Sequence, residues 1–146
     1  MRISSKGRLA LCALCEMALS QEDVLIPLPA LAKKLDCSKV YLEQIFSILR
    51  RADIIASAKG ASGGYALARP PKDICMYDIL APIELQLFSQ AESVERPLAP
   101  FVENTLHELL FSPLDDSVKR CLSGISLAHL AAQIKEKRQQ GDMYYI

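Results

Sequence analysis

From residue 53 onward the spacing of apolar residues changes from helical to extended, and this switch constrains the fold more than any other feature of the chain. The stretch 53–69, DIIASAKGASGGYALAR, holds two short apolar runs, at 54–57 and 65–68. Between them lies KGASGG (59–64), whose glycines make it too flexible for a helix interior. Two short runs around such a tip predict a β-hairpin with a longer loop. Pro70 and Pro71 stop its second strand.

What precedes the hairpin is helical. In 4–20, Leu11, Leu14, Cys15 and Ala18 recur at three- and four-residue spacing, with Ser4 or Ser5 as cap. A connection at 21–27 ends in Pro27, and LPALAKKL (28–35) follows as a short amphipathic helix with Leu28, Leu31, Ala32 and Leu35 on one face. The turn at 36–38 supplies Ser38 as N-cap of a third helix, 39–52. In it Leu42, Ile45 and Leu49 form an apolar stripe, which Phe46 widens. Lys39, Glu43, Ser47, Arg50 and Arg51 lie off that stripe, with Tyr41 and Gln44 at its edges. Two helices joined by so short a turn match a helix-turn-helix, and the hairpin after them completes a winged helix.

Downstream, 76–81 starts a further helix that Pro82 ends or kinks. The stretch 88–100, with two prolines (Pro97 and Pro100) and mixed charge, reads as the least ordered part of the chain. Helical periodicity resumes over 101–111. Ser112 and Pro113 predict a break and restart, with Asp115 near the positive end of a new helix at 112–124 and Gly124 at its stop. A last helix covers 125–140, with Ser126 as cap. The expected fold is therefore mainly α with a small β-hairpin wing. Residues 1–84 form a winged helix-turn-helix, 85–100 a loop, and 101–146 a helical dimerisation segment whose exposed apolar stripes call for a second copy of the chain.

Composition bounds the function. With 51% hydrophobic residues the chain can pack a core, and no run approaches the roughly 18 apolar residues that span a bilayer. The start lacks the apolar run and cleavage site of a secretory signal, so a cytoplasmic protein is expected, with no membrane partner. Net charge is zero but unevenly spread. Residues 1–80 carry eleven Lys/Arg against eight Asp/Glu, which gives +3; the remaining six against nine give −3. This suits a DNA-binding half joined to a non-binding one.

The five cysteines, at 12, 15, 37, 75 and 121, are expected to be reduced and mostly buried. Cys12 and Cys15 share a helix face, which admits a thiol sensor, although Cys15 sits on the apolar stripe and core packing is the simpler reading. One pair makes no four-ligand zinc site. No nucleophile–base pair, metal constellation or phosphate-binding loop is present, so no catalytic residue, metal or cofactor is assigned and an enzyme is not expected.

The residues with chemistry to offer gather in one constellation. Ser38, Lys39, Tyr41, Glu43 and Gln44 open the third helix, Arg50 and Arg51 close it, and Lys59, Gly60, Gly63, Gly64 and Tyr65 build the hairpin tip. A helix start offers N–H groups to phosphate, and the Ser38 and Tyr41 hydroxyls add hydrogen bonds. Glu43 can accept from a cytosine amino group in the major groove. Lys59 on a glycine-hinged wing reaches the minor groove or the backbone beside it. On spacing alone, a solvated helix face with a surface hairpin would look the same.

The segments MRISSKGRLAL, YLEQIFSILRRADII, GGYALARPP, YDIL and GISLAHLA closely resemble the Rrf-two family of bacterial winged-helix transcription regulators. The resemblance covers most of 1–84 and reappears at 124–131. It implies that Ser38, Tyr41, Glu43 and Gln44 belong to a recognition helix and Lys59 to the wing, where the family commonly has Arg. It implies a homodimer, built through a long C-terminal helix, that binds double-stranded DNA at a palindromic operator, most simply as a repressor. Two departures stand out. The region 85–104 has none of the three cysteines of cluster-binding members, and His107 beside leucines reads as structural, which points to the CymR-like, cluster-free branch with an effector protein or small metabolite as signal. The break at Ser112–Pro113 interrupts a helix that is usually continuous. A protein–protein module that keeps the fold and binds a metabolic enzyme is the alternative, against which the retained reading-helix residues argue.

Overall fold

A computed structural model describes residues 2–20, 24–88 and 99–143. Helix α1 (Ser5–Leu19) begins where the Ser4 hydroxyl oxygen accepts from the Gly7 N–H. It buries Ala10, Ala13, Leu14, Cys15 and Met17, while Leu11 and Ala18 are only half-buried, so its core face is rotated from the stripe expected. Helices α2 (Leu28–Lys34) and α3 (Lys39–Arg51) follow, with Leu31, Leu42, Ile45, Phe46 and Leu49 in the core.

The helix-turn-helix bend uses a residue type that periodicity does not flag. Asp36 has φ 50°, and around it the Cys37 N–H donates to the Ala32 carbonyl and the Asp36 N–H to that of Lys33. That is a Schellman closure with Asp where glycine is usual. The same device ends α3: Asp53 has φ 57°, Ile54 donates to Leu49 and Asp53 to Arg50. Each closure turns the chain sharply, and the second delivers Ile54 into the core, only 1% exposed.

The hairpin forms as expected. β1 (Ile55–Ala58) and β2 (Gly64–Leu67) pair antiparallel with Ile55 opposite Leu67 and Ala58 opposite Gly64. Ile26 adds a bridge on the outer edge, exchanging hydrogen bonds of 2.9 Å with Tyr65 in both directions. After a 3-10 turn at Pro71–Asp73, helix α4 (Met76–Leu80) buries Met76, Ile79 and Leu80, and the chain turns at 81–83 around Pro82.

Three expectations downstream change. Part of the presumed loop is helical, α5 (Leu85–Phe88); residues 89–98, the centre of the stretch expected to be irregular, lie outside the described residues. The break at Ser112–Pro113 does not occur. Helix α6 (Pro100–Leu106) runs through a π turn (His107–Phe111) into α7 (Ser112–Ser123), and Ser112 is helical at φ −61°, ψ −47° rather than a cap. In a regular helix Pro113 leaves the carbonyl four residues back without a donor and crowds it with its ring. The wider turn, in which the Ser112 N–H reaches the His107 carbonyl, takes up that misfit. Gly124 does stop α7, but at φ −77°, so its left-handed freedom is not used.

Helix α8 (Leu127–Met143), capped by Ser126 through the His129 N–H at 3.1 Å, packs on the N-terminal body rather than standing with the expected dimerisation segment. Paired hydrogen bonds join Met76 to Ile125 and Leu127 to Ile74. Leu127 is fully buried in the same core as Leu14 and Phe46. Glu16 of α1 fastens the arrangement, accepting from Arg138 of α8 and pairing with Lys34 of α2 at 2.5 Å. Burial pushes the Glu16 carboxyl up, but the two bonds and charges outweigh it and hold it below the usual carboxylate value.

Candidate nucleic-acid interface

The start of α3 is presented, not packed. The Ser38 oxygen accepts from the Tyr41 N–H at 3.0 Å, which leaves its own O–H free to donate outward. Lys39, Glu43 and Gln44 are exposed and Tyr41 is half-buried against the core, so the first two turns offer one contiguous polar face. Val40, 64% exposed, sits in the middle of that face. It is not among the residues expected to form the site; its signal in the sequence is an apolar side chain off the helix stripe. Its methyls suit contact with a thymine methyl group.

Arg50 and Arg51 lie at the other end of the helix, about 18 Å along the axis from Ser38. The structure does not gather them with the reading residues. Arg50 donates to the Ser57 hydroxyl of β1 at 3.3 Å and so braces the wing root, while Arg51 donates to the Ser47 carbonyl at 3.3 Å. Both guanidinium groups are exposed and keep donors for phosphate.

The wing residues divide by role. Lys59 is exposed at the tip, next to Gly60 at φ 116°, a conformation that favours glycine. Gly63 and Gly64 are required by close backbone approach: a Cβ would stand 2.6 Å from the Ala58 carbonyl oxygen and 2.7 Å from that of Ile26. Tyr65 turns inward, its ring edge-on to Phe46 at 4.9 Å and 81°. It anchors the wing to α3, while Lys59 stays exposed at the tip.

The cysteines separate as well. Burial, with Cys12 and Glu16 adding to it, pushes the Cys15 thiol up, which makes it a poor nucleophile; burial and Asp36 do the same at Cys37. Cys12 and Cys121 are exposed, contrary to the expectation that most would be buried. Among the described residues no group of three or more His, Cys, Asp or Glu is placed to hold a metal ion, and no helix is long and apolar enough to cross a membrane.

Comparison with known proteins agrees with this geometry. Residues 3–133 match the Rrf2 family model, described as iron-dependent transcriptional regulators. The HTH-type transcriptional regulator IscR of Aliivibrio salmonicida is 32% identical over 136 residues, 89% of this chain and 77% of that one. IscR of Cereibacter sphaeroides is 42% identical over 86 residues, 58% of this chain, and the match spans only 56% of its length. Among solved structures, CymR, the global cysteine regulator of B. subtilis, superposes with a TM-score of 0.72 at 32% identity, covering 91% of this chain and 98% of its own. IscR of T. potens gives 0.71 at 26% identity, with 94% and 90% covered. The exposed start of α3, a wing braced against it and these matches agree: the chain belongs to the Rrf2 family and is a DNA-binding winged-helix transcriptional regulator.

Proposed function

We propose that the chain acts as a homodimeric, sequence-specific repressor that reads a palindromic operator in double-stranded DNA without an iron–sulfur cluster. The observation that carries the reading is the exposed polar face at the start of α3, from Ser38 to Gln44, beside a wing tip bearing Lys59. Ser38 and Tyr41 hold phosphate, Glu43, Gln44 and Val40 meet base edges in the major groove, and Lys59 contacts the adjacent backbone or minor groove. Repression is the mode proposed because a dimer seated on a promoter excludes polymerase by bulk alone.

Dimerisation is supported by the helical run from Pro100 to Ser123, in which no residue is buried and Phe101, Leu109 and Leu110 are 89%, 76% and 52% exposed. So much apolar surface on one helix calls for a partner. A second copy places two α3 helices about one helical turn of DNA, or a small multiple, apart.

The family's description as iron-dependent does not fit the donors of this chain. Thiolates hold such clusters, and the segment 85–104 contains no cysteine. Cys12 and Cys121 sit on separate helices and Cys15 is buried. We therefore route no step through a cluster. Selection of bound sequences from a random duplex pool tests the proposal. An inverted repeat with fixed half-site spacing is the expected product, and a pool without enrichment contradicts it.

A further inference from the structure

Where α7 crosses α4, the joint leaves an open cleft of about 700 Å³, within the range of small-molecule sites. Tyr77 and Phe88 supply an aromatic wall, edge to face at 5.2 Å and 79°. Val118 adds apolar surface, and Asp115, Asp116 and Lys119 bring charge along α7. Lys119 is spaced to pair with either aspartate on its own helix. Instead its Nζ lies over the Tyr77 ring, 5.3 Å from the centroid. The ion-paired side chains among the described residues are Glu16, Lys34, Arg138, Arg69 and Asp78, so neither Asp115 nor Asp116 is one of them. The cleft thus combines an aromatic face that already attracts an ammonium group, two carboxylates without a counter-charge bound to them, and an apolar wall.

We propose that this cleft binds a small organic amine with an apolar body. Its ammonium takes the place of Lys119 over the Tyr77 ring, between Asp115 and Asp116, and its body lies against Phe88 and Val118. Lys119, on a flexible stem, swings into solvent. His107 also lines the cleft and is the one other group there that can carry positive charge. A carboxylate ligand would face both aspartates, so the paired carboxylates set the sign of the preference.

The position gives such a ligand leverage. α4 is part of the reader's core through Met76, Ile79 and Leu80, whereas α7 continues the helix assigned to the partner copy. A molecule that touches both elements biases the angle between reader and dimer helix. This names the effector class of the regulator proposed above and rests on that reading for its effect on DNA, though not for binding itself.

The experiment is calorimetric titration of the full chain, without DNA, with phenethylamine and with 3-phenylpropionate, which shares its ring and differs in charge. Saturable binding of the amine is expected, at least about tenfold tighter than the acid. The variant D115N/D116N, at two exposed positions, should weaken the amine by about tenfold, and Lys119→Gln should tighten it severalfold by removing the resident ammonium. Equal affinity for both compounds, no saturable binding, or weaker amine binding by Lys119→Gln overturns the site. Operator affinity is then measured with and without the amine. Amine binding that leaves it unchanged overturns the effector role, whereas failure of the chain to bind any operator counts against the regulator reading alone.

Discussion

Two stretches of this chain bury their apolar residues very differently. Apart from Leu127 and Ala131, every buried apolar side chain among the described residues lies between Ala10 and Leu80, and all of these but Leu80 join one cluster shared by α1–α4 and the hairpin. The helix from Pro100 to Ser123 is richer still in leucine and phenylalanine, yet none of its side chains is buried. The first stretch is a body that satisfies itself. The second is half of an interface. Because α8 returns to the first body, the exposed helix is tethered at both ends by the reader, and a partner that grips it grips the reader too.

Removing core from the self-sufficient body should have the largest effect. Phe46→Ala takes away a fully enclosed ring that also seats Tyr65, and should lower unfolding free energy by about 3–5 kcal/mol. Chemical denaturation measures this, and a loss under about 1 kcal/mol would place the wing's anchor elsewhere. Leu109→Glu probes the other stretch. Its side chain is 76% exposed in the single chain, so the reader should keep its fold while dimer dissociation rises by roughly 30-fold, about 2 kcal/mol. Sedimentation at several concentrations reads the shift; an unchanged dimer would assign the interface to another face.

Glu16 tests the tether. Its carboxyl is held below its ordinary value in the folded chain, so the clasp stabilises fully above the unfolded carboxylate pKa and fades as pH falls through the folded one. Melting temperature should therefore drop on acidification, and Glu16→Gln should flatten the part of that drop below about pH 4.5. A parallel pH profile for the variant would show that Arg138 and Lys34 do not act through it. The smallest effect belongs to the turn after α3. Asp53→Gly should change stability by less than about 0.5 kcal/mol, whereas Asp53→Val at φ 57° should cost about 1–2 kcal/mol.

Much of this architecture was legible beforehand because it follows from local rules. The hairpin declared itself through a change of period around KGASGG, and Ser38 through its place before an apolar stripe. What stayed hidden depends on contacts between distant residues or on backbone states that several residue types adopt. Asp36 and Asp53 replace the glycine that would have marked a left-handed turn. Pro113 reads as a helix breaker unless a π turn absorbs it. The placement of α8 rests on Leu127 and on Glu16, 122 residues from Arg138, and no local pattern reports either. Within the site, exposure of the α3 start was foreseeable from the stripe. That Arg50 braces the wing and Tyr65 faces inward was not, since both depend on how the hairpin folds back on α3.

The central claim, that the start of α3 reads sequence while the wing holds backbone, is tested most directly by anisotropy titration of a selected operator and a scrambled duplex across a range of salt. The account predicts operator binding on the order of 10³-fold or more tighter than scrambled duplex near physiological salt. Glu43→Ala should shrink that ratio, and Lys59→Ala should weaken both duplexes alike and lower the salt slope by about one. Equal affinity of the native chain for the two duplexes at moderate salt would contradict it.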